Sequence, residues 1–176
     1  MTTYPVWLAS GVGALALLVG FARQTPSIQG RPDLPEIRGY KHWKQATSKR
    51  MPMEPLAAQL CRAAIPGEHR DSPKAYFVVY VNRTGEAAMA SKDRVFPLGS
   101  VVIKEKFGEA TGGSPEVKTV MVKRSYGFDN ANGNWEYFTV SGDGKSVDAV
   151  QDGTCQSCHR SVRSSDYIFK SYAALH

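Results

Sequence analysis

Close to its C-terminus the chain reads DGTCQSCHRS over residues 152–161, and there Cys155, Cys158 and His159 have types and spacing that can do chemistry. Two cysteines three apart, followed at once by histidine, have the geometry of a c-type haem attachment. The thiols add across the two haem vinyls and the imidazole ligates iron from the proximal face. One helical turn separates the sulfurs and swings the histidine under the metal. The competing readings lack their parts. A structural zinc site wants four ligands, commonly in paired knuckles, and the third and last cysteine, Cys61, stands alone. A thioredoxin-like pair starts a helix in a strand-helix-strand unit, which is not the pattern around GTCQSCH. The motif therefore predicts one covalent haem c on Cys155 and Cys158, with His159 as axial ligand.

A second strong axial ligand is not evident. Seventeen residues follow His159 and none is methionine. Met51, Met53, Met89 and Met121 qualify by type, but thioethers mostly fill cores. His42 and His69 stand in polar, loop-like surroundings that predict solvent exposure, and His176 is terminal.

The elements that must position the motif lie upstream. Pro55 suits the first residue of a helix whose Leu56, Leu60 and Ala64 recur at one-turn spacing, with Pro66 and Gly67 ending it. Cys61 falls on this helix, where a small buried hydrophobe is the simplest reading. From residue 75 the period changes from helix to strand. AYFVVYV, GSVVIKEKF, EVKTVMVKRSYGF and NWEYFTVSGDG are four alternating or aromatic-rich runs, separated by turn signals at NRTG, FPLG, ATGGSP and DNANGN. That spacing suits antiparallel pairing, with EAAMASKD as one short helix between the first two strands. The predicted class is α+β, mainly an antiparallel sheet with a few helices and a C-terminal haem-binding helix. The strands exclude a four-helix-bundle cytochrome, and the late motif excludes the small helical electron carrier.

Residues 1–22 carry no charged side chain, and 6–21 form an apolar run, short for a span and similar to the core of a secretory signal. Residues 1–22 thus read as a signal peptide or an N-terminal membrane anchor, 23–39 as a Pro- and Gly-rich linker, and 40–176 as one haem c domain. Either reading of the leader exports the domain, to the periplasm in a bacterium. The formal charge of +6 then belongs to the exported part. An exported haem protein has little use for nucleic acid, so the charge predicts an acidic redox partner, a membrane surface or an ordinary solvated face.

The order of YKHWK, YFVVYVN, FPLGSVVIKEKF, VMVKRSYGFDNANGNWEYFTV and CQSCHRSVRSSDYIFKSY resembles the cytochrome P-460 family, which includes the cytochromes c′-beta, over roughly residues 40–172. The resemblance implies a five-coordinate haem c on an antiparallel sheet, with His159 below the iron and an open distal face. It also implies periplasmic oxidation of hydroxylamine to nitrous oxide or nitric oxide in members whose strand lysine is bonded to the haem. Lys104 stands at that position. On a strand Val102, Lys104 and Lys106 share a face while Ile103 and Glu105 point away, so a solvated lysine ladder is the plain alternative. Glu105 and Glu136 are candidates for a proton acceptor, though exposed strand carboxylates are commoner.

One departure favours a different function. The family's enzymes place an arginine in the pocket from the strand reading YFVVYVN here, which has none. Phe77 lies at about that position, as in the cytochromes c′-beta, where an apolar cap admits nitric oxide for sensing or scavenging without turnover. Phe96 is a second candidate for the distal pocket. The structural alternative for both is sheet core, as it is for Trp43, Trp135 and Tyr167. The expected partners are hydroxylamine or nitric oxide, a redox partner such as another cytochrome, and a second copy of the chain in a homodimer.

Overall fold

The computed structural model describes residues 33–61, 74–91 and 93–172. The apolar run 6–21, Ala64, Pro66, Gly67, His69 and His176 lie outside them. Seven antiparallel strands form one sheet: β1 (Lys44–Gln45), β2 (Met51–Pro52), β3 (Tyr76–Val81), β4 (Val101–Phe107), β5 (Val117–Lys123), β6 (Trp135–Ser141) and β7 (Val147–Ala149). Their order is β1-β3-β4-β5-β6-β7, with β2 also on the free edge of β3. The long strands are runs of β-branched and aromatic residues, which fit a pleated, covered surface. The four strands expected from the alternation are β3 to β6. The two- and three-residue strands β1, β2 and β7 are too short to leave a period.

Both faces of the sheet are covered. One carries Val79, Val81, Val102, Met121, Trp135 and Tyr137, packed with Ala88 and Met89 of helix α2 (Glu86–Met89), Phe96 and Ile168. The other carries Val101, Ile103, Val120, Val122, Phe138 and Val140, closed by Leu34 with Ile37, Tyr40 and Trp43 beside it. Leu34 belongs to the stretch 23–39 read as a linker, yet it is buried, so packing of the domain includes residues ahead of Tyr40. Two 3-10 turns, Pro35–Ile37 and Tyr40–His42, lay this segment across the sheet.

Helix α1 (Pro55–Leu60) begins at the expected proline. Leu56, the first residue of its expected apolar stripe, is 66% exposed rather than buried. The motif helix α3 (Thr154–His159) starts after Gly153, whose φ of +79° turns the chain sharply out of the sheet. The Thr154 amide donates to the Asp152 carboxylate at 2.9 Å, which holds that acid below its usual range and satisfies one of the free amides of the first turn. A 3-10 segment, Arg160–Ser165, follows directly. Among the described residues no helix is long and apolar enough to cross a membrane.

Candidate functional site

Register decides which side chains can meet the motif. Val79 pairs with Lys104, Lys104 with Thr119, and Thr119 with Thr139. Phe77 pairs with Lys106, and Met121 with Tyr137. Alternation then puts Phe77, Val79, Lys104, Lys106, Met121 and Tyr137 on one face. This is the face against which Cys155 packs.

His159 is fixed from three sides. Its ring meets Tyr137 edge-on at 5.3 Å between centroids and Phe169 at 5.1 Å. Its Nδ1 lies 2.7 Å from the carbonyl oxygen of Tyr167. A carbonyl only accepts, so Nδ1 carries the proton and Nε2 keeps a lone pair for a metal. Burial pushes the imidazole down to about 4, so it is neutral at neutral pH, as a metal ligand must be.

The two motif cysteines are free thiols one turn apart. Cys155 is half-buried, and burial first, then nearby Cys61, pushes its thiol up to about 11, against the opposing charge of Lys104. Tyr137 is 97% buried, its relative exposure being 3%, yet its hydroxyl has no hydrogen-bond partner, and neither has the Gln156 side-chain oxygen within the motif. Orphaned buried polar atoms are costly and point to a missing partner. Free thiols one turn apart, a histidine with its outer nitrogen available and an unpartnered hydroxyl beside it fit a haem c.

Strand β4 carries three charges in a row, and its covering explains where each goes. Lys104 is half-buried and its Nζ donates to Cys61 Sγ at 3.0 Å. Lys106 is buried, bonding the Ala58 carbonyl at 3.3 Å with Glu116 3.8 Å away. A solvated lysine ladder is therefore not what this face presents. Glu105 is fully buried on the opposite face, where it accepts from the Tyr40 hydroxyl at 2.5 Å and from Lys41. Glu136 is half-buried and pairs with Arg124. Both carboxylates thus differ from the exposed strand acids expected. Both also point away from Lys104, since Glu136 pairs with Val122 in the register of the second face. Cys61 is half-buried rather than core, and the group it touches is the lysine singled out above.

Phe77 is half-buried and meets Tyr172 edge-on at 5.2 Å, on the Lys104 face. Phe96 is fully buried, edge-on to Trp135 at 5.4 Å, with Lys170 over its ring at 4.9 Å. Its contacts are those of sheet core. His42 is exposed, and Met89 and Met121 are core residues. Sequence reasoning missed Tyr137, Phe169 and the Tyr167 carbonyl. The DYIF stretch was visible, but that it folds back under His159 follows from a turn no periodicity reports.

Comparison with known families gives one match, to the family described as cytochrome P460, over residues 37–170. No curated protein matches the chain.

Proposed function

Because the chain belongs to the cytochrome P460 family, we propose that it is a periplasmic mono-haem c cytochrome that oxidises hydroxylamine at a five-coordinate haem cross-linked to Lys104. The observation that carries this reading is the register that sets Lys104 on the face where Cys155 packs and His159 is held. The haem would supply a redox-active iron with one open position. Cys155 and Cys158 would hold it, His159 Nε2 would ligate it, and Lys104 would tether its edge from the sheet and distort it. Two hydroxylamine molecules yield one nitrous oxide and one water with release of four protons and four electrons. The electrons pass to an outside acceptor such as another cytochrome.

Phe77 supports a second reading, a cytochrome c′-beta-like nitric oxide binder without turnover. Its ring on the same face, closed by Tyr172, would give an apolar cap that favours small uncharged gases. The optical spectrum of the dithionite-reduced protein separates the two, recorded with Lys104→Ala beside it. A strongly red-shifted Soret band that the substitution abolishes supports the enzyme. An ordinary five-coordinate haem c spectrum, unchanged by the substitution, leaves the gas binder.

A further inference from the structure

The carbonyl that holds His159 belongs to a strained turn. Asp166 and Tyr167 have φ of 55° and 63°, two consecutive non-glycine residues in the left-handed region. Such a pair is disfavoured, most of all at the bulky Tyr167, and persists only where its surroundings over-determine it. Here the surroundings converge on Asp166. Its two carboxylate oxygens each lie 2.7 Å from Lys123 Nζ, both side chains being about nine-tenths buried. One of them also accepts the Phe96 amide at 2.8 Å, and its backbone carbonyl accepts Trp135 Nε1 at 2.9 Å. On the other side, the Tyr167 ring lies over Gly133, where a Cβ would sit 2.5 Å from Tyr167 Cδ2, and its hydroxyl donates to the Ala131 carbonyl at 3.1 Å.

We infer that the buried Lys123–Asp166 pair is a positioning device for the proximal ligand, setting the strength of the His159 hydrogen bond and through it the electronic state of the iron. The inference rests on the haem reading above. A histidine that donates Nδ1–H to a well-placed acceptor gains imidazolate character and becomes a stronger ligand, which favours ferric over ferrous iron. Lys123 extends from the end of β5 and Trp135 opens β6, so the sheet itself sets where the Tyr167 oxygen stands. The charged groups of the pair are not hydrogen-bonded to His159, whose Nδ1 contact is the Tyr167 carbonyl. They act by holding the turn.

The test uses the haem-loaded protein with Asp166→Asn and Lys123→Met, read by resonance Raman of the ferrous form and by redox titration. Asp166→Asn keeps the side-chain shape and the Trp135 contact while removing the charge. Each substitution is expected to move the iron–histidine stretching band to lower frequency. Each is also expected to shift the ferric–ferrous equilibrium about tenfold towards ferrous, which is about 59 mV for one electron. Lys123→Arg, which keeps the charge, is expected to hold the wild-type band, and the double variant to move it no further than either single one. Tyr40→Phe, on the opposite face, serves as the control for lost stability, with an unmoved band. If Asp166→Asn and Lys123→Met melt earlier but keep the wild-type band and potential, the pair is merely structural and the inference is overturned. A protein with no covalent haem overturns this inference together with the function it rests on.

Discussion

Replacing Lys41 with methionine is expected to destabilise the fold more than neutralising the acid it pairs with. The Glu105 side chain is 1% exposed and Lys41 is 52% exposed, with 2.6 Å between their charged atoms. Losing Lys41 leaves a carboxylate with no access to water whose remaining hydrogen-bond donor among the described residues is the Tyr40 hydroxyl, with Lys118 opposite it on β5 bonded instead to the Ser141 and Gly142 carbonyls. Removing one partner of a fully buried pair costs about 3–5 kcal/mol, and exposed pairs are worth about 0–1 kcal/mol. With one partner buried and the other half in solvent, about 2 kcal/mol is expected, including the contacts of Lys41 over the Tyr40 and Tyr80 rings. Glu105→Gln keeps an oxygen for Tyr40 and frees Lys41 into water, so it should cost under about 1 kcal/mol. For a domain of this size about 4 °C of melting temperature goes with each kcal/mol, giving drops of about 8 °C and under about 4 °C. Thermal unfolding followed by far-UV circular dichroism measures both, and the double variant should melt above Lys41→Met alone. An equal or larger loss for Glu105→Gln refutes the reasoning, because the buried charge would then be a net asset rather than a group needing its partner.

Gly142→Ala should cost about 3 kcal/mol, since its Cβ would stand 2.0 Å from the Pro115 carbonyl oxygen, a backbone atom that cannot rotate away; urea unfolding measures it. In a haem-free chain with both motif cysteines replaced by alanine, His159 is expected to make stability fall with acid. Its value of about 4 in the fold lies below the ordinary 6.5, so the unfolded chain binds the extra proton first. The loss starts as pH drops below about 6.5 and levels near 4, reaching about 3 kcal/mol. Adding His159→Gln should flatten that part of the pH profile, and an unchanged slope would remove histidine as its cause.

Much of the sheet could be read from the chain, because β3 to β6 are long enough for alternation to show and their turns carry Gly, Asn and Pro. Alternation also separates Lys104 from Glu105 without any structure. What alternation cannot report is which face is covered, and by what. Glu105 looks like an ordinary strand acid until Tyr40 and Lys41, 65 and 64 residues earlier, are laid across it. Cys61 looks like helix core until register brings Lys104 to it. The motif was legible because its chemistry is local. The proximal turn was not, since Asp166 has its partners at Lys123 on β5, Trp135 on β6 and Phe96 in the loop before β4.

The chain order of the sheet bears on how the site comes into being. From β3 to β7 each strand lies beside its neighbour in sequence, joined by connections of 19, 9, 11 and 5 residues, so the sheet closes by successive antiparallel pairings of sequence neighbours. Contacts close in sequence form early, and those spanning many residues form late. The hold on the motif spans 70 residues from Phe96 to Asp166 and 43 from Lys123. In the haem-free chain, amide exchange should therefore be slowest in β4 to β6 and fast over residues 154–172; uniform protection would contradict this. A finished wall would then face a still-loose arm bearing both thiols. Under the haem reading proposed above, both attachment thiols lie on that arm, so attachment would be coupled to the last folding step.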